Sequence, residues 1–186
     1  LWAEHTSGFG LPVFVAITEG DVLNRATCEL HGFVSCEMPN HPVGSKFQAA
    51  LDMAIADGCD RVMILGSDDF VSSEWIDRAL TFDAPYFTPA SAAVHDPRRG
   101  TYLVRFNGRS VGSGGAGRVV SAHAVKKAGG LWVLGRNKAL DSESHSRLTA
   151  AGYSCKVVPT KRVPLVDVKS GVNIWPFDRW RRHGNK

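Results

Sequence analysis

The fold is decided by residues 45–69, which read SKFQAALDMAIADGCDRVMILGSDD. Apolar residues recur there at helical spacing on one face: Phe47, Ala50, Leu51, Ala54 and Ile55. Ser45 is the expected N-cap of this helix, and Gly58 is expected to end it. Residues 61–65 then form a short apolar strand, which leads directly into Gly-Ser-Asp-Asp. A helix followed by a buried strand is the repeating unit of α/β proteins.

The rest of the sequence continues this alternation. Strands are predicted at 11–17, 32–36, 61–65, 86–94, 101–106 and 156–158. Helices are predicted at 21–30, from Ser72 or Ser73 to Leu80, after Ser121, and from Asp141 or Ser142 to Gly152. We therefore expect an α/β fold with a mostly parallel, Rossmann-like central sheet flanked by helices.

Composition indicates a globular protein of one domain, residues 1–186. No apolar run approaches the roughly 20 residues that a membrane span needs, and no secretory signal is recognisable. The four cysteines have no CxxC spacing, which is typical of reduced thiols. A cytoplasmic protein without a membrane span is the expectation.

The C-terminal segment, residues 159–186, is expected to be an extended basic tail. Its last residues carry a tryptophan and these basic groups: Arg179, Arg181, Arg182, His183 and Lys186. Such a tail attracts the phosphates of a sugar nucleotide or of a polynucleotide. It is equally consistent with a solvated terminus that aids solubility.

Asp68 and Asp69 follow a predicted buried strand directly. Ligands of open α/β sheets bind beyond the carboxyl ends of the strands, where these two carboxylates fall. Adjacent carboxylates repel each other unless a cation or a proton lies between them, and Mg²⁺ or Mn²⁺ is often held by one or two carboxylates with substrate phosphates. The alternative is a polar turn before the helix that starts near Ser72.

Residues 62–69, Val-Met-Ile-Leu-Gly-Ser-Asp-Asp, resemble the strand and DXD-type motif of GT-A glycosyltransferases, especially the large inverting family found in many bacteria and phages. Further segments resemble that family in the same order along the chain: 44–51, 117–121, 129–132 and 140–148 with Gly152. The resemblance implies a GT-A-like fold. Gly66 stands where many members have the first aspartate, and we expect the chain to lack the family's usual first strand and helix.

The resemblance also implies roles for single residues. Asp68 and Asp69 would bind Mn²⁺ or Mg²⁺, and Asp141 would be the general base that deprotonates the acceptor hydroxyl. The donor, a nucleoside-diphosphate sugar with a UDP-sugar expected first, would contact Glu19, Lys46, Ser67 and Asp68. The implied reaction is an inverting transfer to an acceptor hydroxyl. The resemblance together with the basic tail suggests modified bases of phage-type DNA as an acceptor to test.

Each of these roles has a competitor. Asp141 is also a suitable N-cap, with Glu143 as the substitute base. Lys46 is also readable as a solvated helix residue. His145 and His183 are candidate third metal ligands, although a lone histidine is more often structural. The glycine-rich loop at 112–117 lacks the GK[ST] of a P-loop, so a flexible acceptor-side loop is preferred to a phosphate cradle.

Two other functions remain open from the sequence. A nucleotidyltransferase also combines an α/β sheet with metal-binding aspartates, but its glycine- and arginine-rich loop after the first strand is not found. A non-enzymatic nucleic-acid-binding module would use the basic tail, with Trp175 and Trp180 as stacking surfaces.

Overall fold

A computed structural model describes residues 1–105, 115–132 and 134–169. The predictions for residues 112–114, His183, Trp175, Trp180 and the tail beyond residue 169 lie outside these ranges. The helices are α1 Trp2–Ser7, α2 Val22–His31, α3 Val43–Ala56, α4 Ser73–Thr81, α5 Ala122–Lys127 and α6 Leu140–Ala150. The strands are β1 Phe14–Thr18, β2 Val34–Met38, β3 Arg61–Ile64, β4 Asp69–Val71, β5 Tyr86–Pro89, β6 Ser91–Asp96, β7 Gly100–Arg105, β8 Arg118–Ser121, β9 Lys156–Val158 and β10 Leu165–Val168.

The chain divides into two compact units. Of the described residues, the first unit is formed mainly by 3–62, 120–132 and 134–154, and the second by 63–105, 115–119 and 155–169. In the first unit, β1 and β2 pair in parallel, with Phe14 opposite Val34 and Thr18 opposite Met38. Helix α3 packs against this pair.

The sheets are mixed, so the α/β class is confirmed while the expectation of a mostly parallel sheet is not met. One four-stranded sheet has the order β4-β10-β6-β7, in which β10 is parallel to β6 and antiparallel to β4. Strands β6 and β7 are antiparallel because only a short turn joins Asp96 to Gly100. Another sheet has the order β3-β8-β5-β9, with β5 and β9 parallel.

Helix boundaries correct two of the predicted caps. Helix α3 begins at Val43 after Pro42, so Ser45 lies inside its first turn and is not the N-cap. Helix α6 begins at Leu140 after Ala139, whose φ is 59°, so Asp141 is also inside the first turn. Of the two predicted caps of α4, Ser72 is the one observed, since its Oγ accepts a hydrogen bond from the Trp75 backbone N–H at 3.2 Å.

The strands differ from the prediction in two ways. The predicted strand at 86–94 is two strands, β5 and β6, which belong to different sheets. Strands β4, β8 and β10 were not predicted, and the region of β10 was expected to be an extended tail. Strands β4 and β10 pair with each other, and local sequence patterns do not reveal such a pairing between distant segments.

In the second unit, two acidic residues lie at the end of the apolar face of the mixed sheet. Buried side chains on one face of its mixed sheet are Ala92, Val94, Val104 and Leu165. Leu165 pairs with Val71, and two residues further along the same strands Asp167 pairs with Asp69. Because alternate residues of a strand point to the same face, these two aspartates continue the apolar face at its end.

Candidate metal centre

The segment between β3 and β4 fixes Asp69. The backbone N–H of Asp69 donates to the Gly66 carbonyl at 3.2 Å, and the backbone N–H of Gly66 donates to Asp69 Oδ2 at 2.6 Å. A Cβ atom on residue 66 would lie 2.8 Å from Asp68 Oδ1 and 3.0 Å from Asp69 Oδ2. A side chain at residue 66 would therefore displace the Asp68 carboxylate and crowd that of Asp69.

Strand β10 adds a third carboxylate, Asp167, which the sequence analysis missed. Its antiparallel pairing places Asp167 opposite Asp69, and the backbone N–H of Val168 donates to the Asp68 carbonyl at 2.9 Å. One oxygen from each of Asp68, Asp69 and Asp167 lies within 4.8 Å of the other two. We call these three residues the acidic cluster. An apolar strand interrupted by one aspartate, Leu-Val-Asp-Val at 165–168, was the available signal.

A lysine reaches into the acidic cluster. The Nζ atom of Lys169 lies 2.6 Å from Asp167 Oδ1 and 3.6 Å from Asp68 Oδ2. The lysine is only 8% exposed, and its backbone N–H donates to the His95 carbonyl at 2.7 Å. The cluster is therefore partly neutralised by the chain itself.

Burial and mutual repulsion disfavour the simultaneous ionisation of all three carboxyl groups of the acidic cluster. The pKa of Asp69 is raised from 3.8 to about 8, chiefly by burial. The hydrogen bond from the Gly66 N–H lowers this pKa, the charges of Asp167 and Asp68 raise it, and the charge of Lys169 lowers it. Burial also raises the pKa of Asp167, which Lys169 opposes and Asp68 reinforces. A cation placed between the carboxylates would relieve both effects.

The donor set fits a hard divalent cation. Carboxylate oxygens are the ligands that Mg²⁺ prefers in proteins, and Mn²⁺ accepts the same donors. Within the described ranges, no other group of three histidine, cysteine or acidic side chains has this geometry. The candidate ligand His145 is not in the group, and Asp167 is the third carboxylate in its place.

The predicted donor-binding residues of the first unit lie at the carboxyl end of β1. Lys46, on α3, donates from Nζ to Thr18 Oγ1 at 2.9 Å. Glu19 follows Thr18 in the chain and is exposed, with its backbone N–H bonded to the Met38 carbonyl at 2.9 Å. The structure thus brings Lys46 to the residue before Glu19.

Asp141 and Glu143 differ in their surroundings. Asp141 is half-buried in the first turn of α6. Both carboxylate oxygens of Glu143 are buried without a hydrogen-bond partner among the described residues, and Oε1 lies 3.4 Å from Nε of Arg147 in an ion pair. Glu143 therefore remains the alternative base.

No protein-family model and no curated protein sequence matches this chain significantly. The described helices include none with both the length and the apolar character required to cross a membrane.

Proposed function

We propose that this chain is a metal-dependent glycosyltransferase of the GT-A type, which transfers a sugar from a nucleoside-diphosphate sugar to an acceptor hydroxyl. The observation that carries the proposal is the acidic cluster, in which the Asp68-Asp69 pair after β3 is joined by Asp167. The resemblance of residues 62–69 to the DXD-type motif supplies the reaction class.

The acidic cluster would hold Mn²⁺ or Mg²⁺. When bound, such a cation neutralises the charge that develops on the departing nucleoside diphosphate. The chain contributes orientation, because the Gly66 N–H fixes Asp69 while the pairing of β4 with β10 fixes Asp167. Ser67, directly before the aspartate pair, is proposed to contact the donor together with Asp68.

The other roles come from the first unit. Glu19 and Lys46 are proposed to contact the nucleoside part of a donor, with UDP-sugars as the first choice. Asp141 is proposed to accept the proton of the acceptor hydroxyl. The hydroxyl oxygen then bonds to the sugar while the bond between the sugar and the phosphate breaks.

The test of the proposal is a panel of nucleotide sugars, UDP-sugars first, assayed for Mn²⁺-dependent release of nucleoside diphosphate. Asp68→Asn, Asp69→Asn and Asp167→Asn should each lower release by about 100-fold or more, because each removes one charged metal ligand. Asp83→Asn, which changes an exposed aspartate of the same unit, is the matched control. Release that equals the parent's in all three variants would refute the proposal.

A second experiment separates chemistry from donor binding. Asp141→Asn should keep donor affinity while transfer falls by about 100- to 10,000-fold, as expected for loss of a general base. Glu143→Gln, only two residues away, should lower stability and leave the transfer rate of the folded protein nearly unchanged. If Glu143→Gln abolishes transfer while Asp141→Asn leaves the transfer rate nearly unchanged, the base is Glu143.

The acceptor is proposed to be a hydroxyl on a modified base of DNA, a choice that depends on the basic tail and the phage-type resemblance. Incubating the protein with hydroxymethylpyrimidine DNA and several labelled donors should transfer sugar to the DNA. The absence of label with every donor would reject DNA as the acceptor, without affecting the metal site.

A further inference from the structure

The acidic cluster already holds one cation, the ammonium group of Lys169. Its Nζ lies 2.6 Å from Asp167 Oδ1 and 3.6 Å from Asp68 Oδ2, and its side chain is 9% exposed. Burying an ammonium group is costly unless carboxylates or hydrogen bonds compensate for the lost water. The compensating groups are the same two carboxylates that the proposed function assigns to a metal ion.

The backbone around Lys169 keeps its side chain near the cluster. The Lys169 backbone N–H donates to the His95 carbonyl at 2.7 Å, and the preceding N–H, of Val168, donates to the Asp68 carbonyl at 2.9 Å. Both bonds anchor the end of β10 between its neighbours. Lys169 therefore remains available to these carboxylates and is not a mobile surface lysine.

We propose that Lys169 is an internal counter-ion, which competes with the divalent metal for Asp68 and Asp167 and thereby sets the affinity of the site. This inference rests on the proposed function, because it needs the acidic cluster to be the metal site. Two cations a few ångströms apart repel each other strongly in a partly buried site. The metal consequently displaces the ammonium group from at least one carboxylate. Until then, the ammonium group keeps the metal-free cluster partly neutralised.

The direct test is a titration with Mn²⁺ in the absence of any donor. The concentration of free Mn²⁺ is measured by electron paramagnetic resonance. The Lys169→Gln variant should have a dissociation constant for Mn²⁺ at least about tenfold lower than the parent's, because the substitution removes the competing charge. Lys169→Arg keeps the charge and should stay near the parent's affinity. Lys161→Gln makes the same change of net charge at an exposed position and controls for long-range effects.

The outcomes distinguish this inference from the metal site itself. If Lys169→Gln binds Mn²⁺ as well as the parent or more weakly, while Asp69→Asn abolishes binding, competition is refuted and the metal site stands. If neither the parent nor Lys169→Gln binds Mn²⁺, both the metal site and the competition are refuted.

A measurement on the unmodified chain covers the case in which Lys169→Gln does not fold. In ¹⁵N-lysine-labelled protein, the buried ammonium group should give a slowly exchanging NMR signal, which Lys169→Arg identifies by its loss. Saturable Mg²⁺ addition should shift or broaden this signal. Mg²⁺ binding detected by calorimetry without any effect on the signal would overturn the proposal.

Discussion

Asp69 is the most buried member of the acidic cluster, at 5% exposure. Its carboxylate has a backbone N–H donor in Gly66, and Asp68 and Asp167 oppose its ionisation. The proton that Asp69 retains near neutral pH must leave before all three carboxylates can bind a metal. The chemistry of the cluster therefore depends on the protonation of this residue.

The metal-free protein should lose stability as pH rises from about 5 to about 8. The pKa of Asp69 is raised from 3.8 to about 8, so in this range the folded state holds a proton that the unfolded state has released. The sign is the reverse of that for a salt-bridged aspartate. Each pKa unit between the folded and unfolded states corresponds to about 1.4 kcal/mol, so the free energy of unfolding should fall by a few kcal/mol over this range.

Thermal unfolding in EDTA across this pH range tests that expectation. Asp69→Asn should remove most of the slope and leave a smaller part from Asp167, whose pKa is also raised. A flat profile in the parent, or the same slope in both proteins, would show that Asp69 is ionised throughout.

At the scale of elements, the sequence predicts what local patterns control. Residues close together in the sequence determine the apolar spacing of α3 and the Ser72 cap of α4, and the structure contains both helices. Strand β10 and its Asp167 depend on pairing with β4, which is distant in sequence. Two of the three cluster carboxylates could thus be predicted, and the third could not, because tertiary pairing decides its position.

The Ser72 cap gives a prediction for α4. Ser72→Ala should lower the free energy of unfolding by about 1 kcal/mol, because the Trp75 backbone N–H loses its side-chain acceptor and keeps only the Ser72 carbonyl, at 3.0 Å. Ser73→Ala, at the exposed first helical residue, should change it by no more than about 0.5 kcal/mol. Urea unfolding followed by tryptophan fluorescence measures both. An equal cost at the two positions would contradict the assignment of the cap.

At the scale of the whole molecule, the proposed residues fall in both units. The acidic cluster and Lys169 belong to the second unit, whereas Glu19, Lys46 and Asp141 belong to the first. The proposed metal binding therefore needs only residues of the second unit. The nucleoside and acceptor roles are separate predictions, and failure of one would leave the metal site standing.

Mn²⁺ should stabilise the folded chain as a whole. A ligand at 100 times its dissociation constant adds about 2.7 kcal/mol, which for a chain of this size raises Tm by roughly 5 to 10 °C. Asp69→Asn should abolish the increase, and Asp83→Asn should retain it. Equal increases in the two variants would place the stabilising metal elsewhere.

The most direct measurement of the central claim is anomalous diffraction from crystals grown with Mn²⁺ and a donor nucleotide. We predict one strong manganese peak within about 2.3 Å of carboxylate oxygens from Asp68, Asp69 and Asp167, with a donor phosphate oxygen completing the coordination. A peak distant from these three residues, or no peak at saturating Mn²⁺, would contradict the account.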